Sequence, residues 1–411
     1  MSEPQPDPNV VSDHVADVLL GAKESWTRRM FELATQLRAD GGGPVYDLSL
    51  GNPSLEPPQC WRDTVRALLE DEPAGQHRYM TSAGFPEVRA FIAKREAARY
   101  GLPVGVQDVT MTVGAAGGLN VFLRSTVNPG ESVLVPAPYF PEYEHYCAHV
   151  GAKLVPVATH ANFTLDLDRI EAALEPSTRV LLLNSPNNPT GAVYSENSLR
   201  DLAQRLSKHN KARKRALYVV EDSPYRDLTY DGSDAPSMLR HYGNTVFLTS
   251  HSKDLGLAGE RIGYIVVSPG CRGRELLSRA ISFNNRVLGF VNAPALMQRA
   301  LPAVLNDPGG RVDVSVYADS TRKMAEGLSE LGFEIPPPRA GFFLFPRLSP
   351  NLSALDSRGG DVALTERLRE HRTIVVPGTA FGVAGHLRLS LCVESEVVDG
   401  ALRAFRRVCA A

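Results

Sequence analysis

Two hydrophobic patterns take turns along most of this chain. Short runs of consecutive apolar residues are followed by longer stretches in which apolar positions recur every three or four residues. The uninterrupted runs are "DVTMTV" (108–113), "SVLVPAP" (132–138), "AKLVPVAT" (152–159), "RVLLLNSP" (179–186), "ALYVVEDSP" (216–224), "NTVFLTSHS" (244–252) and "IGYIVVSP" (262–269). A run of this length without polar interruption is what a strand covered on both faces presents. The stretches between them, such as "LNVFLRSTV" (119–127), read as helices. Apolar strands alternating with helices predict an α/β unit built on a mostly parallel sheet. Such sheets bind ligands beyond the carboxyl ends of their strands. Residues 14–40 carry helical periodicity that "GGGP" (41–44) breaks. A helix-rich stretch from Phe290 to Leu331 leads into "GFFLFPRL", "TIVVPG" and "HLRLSLCV", strands of a second, smaller α/β unit. The expected organisation is a disordered tail over 1–13, an N-terminal segment over 14–60 packing with the small domain, a large domain over 61–295 and a small domain over 296–411.

Composition narrows the classes. At 411 residues, 43% hydrophobic and 22% charged, the chain can bury a large core without staples. A net charge of -2 gives no global field for nucleic acid or anionic membrane. The one dense basic run, "SKHNKARKR" (207–215), lacks interleaved aromatics and reads as a solvated helix end. The five cysteines are scattered with no CxxC pair, so neither a zinc site nor a disulfide framework is expected, and a reducing cytoplasm fits. The N-terminus lacks the basic and apolar regions of a signal peptide, and no apolar run is long enough for a membrane span.

The candidate chemistry clusters at predicted strand ends. "TVGAAGGLN" (112–120) is strand, small residues, helix; it matches neither GxGxxG nor GxxxxGK. It is either a tight turn or a helix start whose N–H groups meet an anion. In "NSPNNPTG" (184–191) two prolines and a glycine fix a turn that can point Asn187 or Asn188 into a cleft. In "VVEDSPYRD" (219–227), Glu221 and Asp222 end a strand and Tyr225 follows; Asp222 either caps the turn or stays ionised against a cation. In "TSHSKDLGLAGERIGY" (249–264), Lys253 stands among Ser250, Ser252 and Arg261. A lone lysine is ordinarily a surface residue. This one sits on a polar, turn-prone loop beside phosphate donors, the setting of a nucleophilic amine.

Taken together in this order, the motifs resemble those of fold type I pyridoxal 5'-phosphate enzymes of the class I/II, aspartate aminotransferase-like family, from about Asp47 to the C-terminus. The resemblance implies a large domain with a mostly parallel seven-stranded sheet and a smaller α/β C-terminal domain. It implies that Lys253 forms the Schiff base with the coenzyme and that Asp222 faces the pyridine nitrogen. Asn188 and Tyr225 are implied as donors to the ring oxygen, with Asn188 also on the substrate side. Ala115, Ala116, Ser250, Ser252 and Arg261 are implied at the phosphate, and Phe140 on the ring face. Tyr79 is implied to reach the phosphate of a neighbouring subunit, and hence a homodimer with shared sites. Gly51 and Arg388 are implied to bind the substrate, Arg388 by its α-carboxylate. No metal is implied.

The implied activity is amino transfer from an L-amino acid to a 2-oxo acid in the cytoplasm. The alternative is β- or γ-elimination or replacement, including action on S-adenosylmethionine. A regulator of this type carries a winged-helix domain, for which the segment before the core is too short. The chain departs from the family at Ser223, His251 and Ala258, where Glu, Tyr and Pro are usual. The expected part of His251 is to pack or hydrogen-bond.

Overall fold

The computed structural model describes residues 10–20, 26–71, 74–211, 213–354 and 360–410. Of the tail expected over 1–13, residues 1–9 lie outside the described residues, and Asp13 already opens a helix, Asp13–Leu19. Contacts divide the chain into two units. The larger comprises Asn52–Asp319 and Pro337–Phe342; the smaller comprises Met1–Gly51, Ser320–Pro336 and Phe343–Ala411.

Strand β1 (Tyr46–Asp47) belongs to the smaller unit. The larger unit is built on β2 (Val109–Val113), β3 (Ser132–Ala137), β4 (Lys153–Ala158), β5 (Thr178–Asn184), β6 (Tyr218–Asp222), β7 (Thr245–Ser250) and β8 (Ile262–Val267). They form one seven-stranded sheet in the order β2-β8-β7-β6-β5-β3-β4. Residues of β3, β6, β7 and β8 are buried throughout, as their unbroken apolar runs require. The edge strand β4 is largely exposed or half-buried. Pairing is parallel from β4 through β7, whereas β8 runs antiparallel to both β7 and β2. The start of β8 therefore meets the edge at which β2, β5, β6 and β7 end.

One face of this sheet carries Phe247, Tyr264 and Val266, packed with Val88 and Ile92 of the helix Pro86–Tyr100. The same cluster takes in Met297, Leu301 and Val304 of the helix Ala295–Asn306. That packing keeps the helix in the larger unit, so the chain crosses to the smaller one near 320, not at 296 as expected. Residues 337–342 return to the larger unit, where Gly341 N donates to Leu228 O at 2.9 Å. On the N-terminal side the division falls after Gly51, short of the expected residue 60. The basic run ends the helix Glu196–Lys211, with Lys208, His209 and Lys211 in its last turn; Ala212 lies outside the described residues.

In the smaller unit, β1 pairs in parallel with β10 (Thr373–Ile374), and β11 (Val376–Pro377), β12 (Leu387–Ser390) and β9 (Phe343–Leu344) form an antiparallel sheet in that order. Val398, Ala401, Leu402, Phe405 and Val408 line one face of the helix Ser395–Ala410, which joins Leu48, Phe333 and Leu389 in its core. No helix among the described residues is long and apolar enough to cross a membrane.

Candidate active site

The carboxyl edge of the seven-stranded sheet gathers most of the polar residues singled out above. Chain exits from β2, β3, β5, β6 and β7 converge there, and the entry into β8 joins them. Register fixes their spacing: Asn184 pairs with Asp222, Asp222 with Leu248, Ser250 with Gly263, and Val113 with Ile262.

The β2 exit opens the helix Gly114–Thr126, whose first turn holds Ala115, buried, and Ala116, half-buried. The unpaired N–H groups of a helix start favour an anion. Gly114 has φ +68, and a Cβ there would lie 2.8 Å from Arg261 Nη2, so glycine lets the guanidinium come up to the helix start. Arg261 itself has φ 52, a left-handed conformation uncommon outside glycine, and donates through Nη1 to Ala258 O at 2.8 Å. Ser250 and Ser252 are buried at the end of β7 and just beyond it. Helix start, arginine and two hydroxyls thus fall on one edge of the sheet, donors of the kind an anion takes.

Asp222 ends β6, and its backbone carbonyl accepts from Asn184 Nδ2 at 2.7 Å. Asn184 Oδ1 accepts from Asn188 N at 2.7 Å, so one side chain ties the β5 exit loop to β6. Asp222 Oδ2 accepts from Tyr143 Oη at 2.7 Å. Burial pushes the Asp222 carboxyl up to about 6, against which the Tyr143 hydrogen bond pulls down. Burial and the nearby Asp222 charge hold the Tyr143 hydroxyl well above its ordinary range, so it stays a donor. Asp222 Oδ1 and Asn188 Oδ1 are buried without a protein partner. Leaving such an oxygen unpaired costs about 1–3 kcal/mol. A protonated ring nitrogen would satisfy Asp222, so the residues present fit the implied coenzyme.

Phe140, half-buried after β3, stands edge-on to Tyr143 with ring centroids 5.5 Å apart. Tyr225 is 6% exposed, and its ring meets Phe342 edge-on at 5.7 Å. Lys253 is half-buried, its Nζ 5.7 Å from the centroid of that same Phe342 ring. Phe342 therefore touches both Tyr225 and Lys253. It was not legible from sequence, and neither was the link from Tyr143 to Asp222. Asn184 stood in a quoted motif without a role.

The three departures from the family find plain places. His251 Nδ1 lies 2.9 Å from Asp254 Oδ2, and the ring packs near Tyr264. Ser223 Oγ donates to Ser185 O at 2.9 Å. Ala258 supplies the carbonyl that Arg261 holds.

Three candidates belong to other elements. Tyr79 is 88% exposed. Gly51 and Arg388 belong to the smaller unit. There Arg388, on β12, is buried, donates to Ser49 O, and holds its guanidinium carbon 5.1 Å from the Phe343 ring and 4.9 Å from the Phe381 ring. Two aromatic rings and a carbonyl fix the direction of that cation.

A lysine, a buried carboxylate and anion-binding donors on one sheet edge suit a pyridoxal-phosphate enzyme. The family model described as aminotransferase class I and II matches residues 44–405, and the chain belongs to that family. The chain is 30% identical over 393 residues to the aspartate/prephenate aminotransferase of Thermus thermophilus, covering 94% of this chain and 96% of the relative. It is 26% identical over 391 residues to a probable aspartate aminotransferase of Methanocaldococcus jannaschii, covering 94% and 97%. Among solved structures, an aminotransferase from Eubacterium rectale has a TM-score of 0.89 at 33% identity, covering 97% of this chain and 98% of that one. The aspartate aminotransferase of Thermus thermophilus with maleate has a TM-score of 0.85 at 29% identity, covering 97% and 99%. The chain is thus a pyridoxal 5'-phosphate-dependent aminotransferase; amino transfer is favoured over elimination or replacement.

Proposed function

We propose that this enzyme moves the amino group of an L-amino acid to a 2-oxo acid, with aspartate the first donor to try, since the relatives above are named for it. The observation that carries this reading is Asp222, a buried carboxylate with one oxygen held by Tyr143 and the other without a protein partner. When bound, the coenzyme supplies an aldehyde that condenses with amines and a ring that takes up the electron pair left at the substrate Cα. Asp222 keeps a proton on the ring nitrogen by charge pairing. Asn188 and Tyr225 donate to the ring oxygen, and Phe140 packs on the ring face. Ala115, Ala116, Ser250, Ser252 and Arg261 hold the phosphate. Lys253 would hold the coenzyme through Nζ and, once displaced by the substrate amine, would be the base that takes the proton from the substrate Cα. Arg388 receives the substrate carboxylate as a fork and so fixes which Cα bond breaks, with Gly51 lining the pocket.

The working form we infer is a cytoplasmic homodimer in which Tyr79 reaches the partner's phosphate. Its exposure supports this, as do Leu276, Phe283 and Val287, which are 70%, 54% and 52% exposed at positions seven and four apart on the helix Arg274–Val287. All five cysteines are free, in keeping with a reducing compartment.

The test is a half-reaction. Coenzyme-loaded protein mixed with L-aspartate and no oxo acid should lose its visible band to the amine form of the coenzyme. Adding a 2-oxo acid should restore it. Release of a leaving group from the amino acid, with the band retained, would overturn the reading. A second measurement concerns Tyr143→Phe. Hydrogen bonds to charged groups contribute about 1.5–3 kcal/mol, so coenzyme affinity should fall about tenfold or more with the fold intact. Coenzyme fluorescence titration reads this directly, and unchanged affinity would separate Tyr143 from the site.

A further inference from the structure

The residue after Tyr225 is tied deep into the larger unit. Arg226 is 4% exposed, and Glu96, on the helix Pro86–Tyr100, is fully buried. Arg226 Nη1 and Nη2 donate to the two Glu96 oxygens at 2.7 and 2.8 Å. Nη2 also donates to Tyr264 Oη at 2.6 Å, and Nη1 to Tyr100 Oη at 3.2 Å. Tyr264 Oη donates in turn to Glu96 Oε1 at 2.8 Å. The guanidinium carbon lies 4.7 Å from the centroid of the Phe247 ring, and Asp227 Oδ2 lies 3.4 Å from Arg226 Nε. One guanidinium thus joins the helix, β7, β8 and the loop after β6.

A buried ion pair is weak evidence for stability, since an apolar pair of similar volume often holds a fold as well. Direction is what apolar side chains would not supply. A planar fork gripped by a carboxylate and two hydroxyls has one orientation. Around it the loop is closed by Arg226 N donating to Ser223 O at 3.4 Å and Leu228 N donating to Tyr225 O at 2.9 Å. Arg226 directly follows Tyr225, whose ring lies edge-on to Phe342 at 5.7 Å, so the backbone that carries that ring leaves from an anchored residue.

We propose that Arg226, held by Glu96, is the positioning residue for Tyr225, and that through Tyr225 it sets the pH at which the bound coenzyme changes protonation state. The inference rests on the reading above that Tyr225 donates to the ring oxygen. A donated hydrogen bond stabilises that oxygen as an anion and lowers the pH at which the adjacent imine loses its proton. A slack Tyr225 lets that midpoint rise. The charged and titratable groups about Arg226 are Glu96, Arg99 and Tyr100 from the helix, Glu221 and Asp227 from β6 and its loop, and Tyr264 from β8. Asp222 and Tyr143 are the groups on the Tyr225 side.

The experiment titrates the visible absorbance of coenzyme-loaded protein against pH in four forms: parent, Tyr225→Phe, Arg226→Met with Glu96→Leu, and the combination of all three. The double replacement should raise the midpoint by about one pH unit in the parent, a tenfold change in the proton equilibrium, and by nothing further in the Tyr225→Phe background. Equal shifts in both backgrounds would show action through space and overturn the proposal. An unchanged midpoint in a folded double variant would also overturn it. Tyr264→Phe, which removes one anchor and keeps the ion pair, decides the matter should the double variant not fold: it should move the midpoint the same way by a smaller amount, and no movement counts against the idea. Hydrogen exchange in the coenzyme-free protein gives an independent reading, since the amides of Ser223 and of 225–228 should exchange faster in either variant. A parent protein that forms no visible band with pyridoxal phosphate would instead sink the coenzyme assignment itself.

Discussion

Lys253→Ala is expected to abolish turnover, by a factor on the order of 10⁴–10⁶, and to remove the visible band that the coenzyme acquires on joining the protein. The amine has two duties in the proposed reaction, holding the aldehyde and moving the Cα proton, and alanine can do neither. The fold should survive. Lys253 is half-buried, and the contact between its ammonium and the Phe342 ring is worth about 0.5–1 kcal/mol. Thermal melting of the coenzyme-free variant should therefore stay close to that of the parent. Retained turnover together with an intact visible band would refute the role.

Asp222→Asn should lower kcat by about 10²–10³, because an amide of the same size cannot hold a proton on the ring nitrogen by charge. The same substitution has an opposite effect on the coenzyme-free protein. Burial pushes the Asp222 carboxyl up from 3.8 to about 6. Between those values the folded chain keeps a proton that the unfolded chain has released, so stability falls as pH rises through this window and remains reduced above it. Asparagine lacks that step. Its coenzyme-free form should melt above the parent on the alkaline side of pH 6, with the difference shrinking towards pH 4. Glu221, raised from 4.5 to about 7 by burial, gives both proteins a decline of the same sign. A variant melting below the parent on the alkaline side would mean that the anion is stabilised in the folded coenzyme-free chain.

Much of this was legible in the residues because the signals are local. The sheet strands announce themselves as unbroken apolar runs, and Lys253, Asp222 and Asn188 each follow such a run within a few positions. What was not legible depends on distant partners. Tyr143 meets Asp222 from 79 residues away. Glu96 lies in "KREAARY", and its partner Arg226 comes from another element 130 residues on. The boundary near 320 was missed for the same reason: the apolar stripe of Ala295–Asn306 suits either unit, and only its place in one cluster with Val88 and Tyr264 decides which.

The reversed direction of β8 has a consequence for how the enzyme can diverge. Arg261 immediately precedes a strand, so its place is counted off a ladder shared with β2 and β7. Loops leaving the other strands can lengthen or change side chains without altering the spacing of Arg261, Gly114 and Ser250. A one-residue slip of β8 would exchange Ile262, Tyr264 and Val266 with Gly263, Ile265 and Val267 across a strand buried on both faces, and would move Arg261 with them. Drift at Arg261, proposed to hold the phosphate, is thereby tied to the packing of β8.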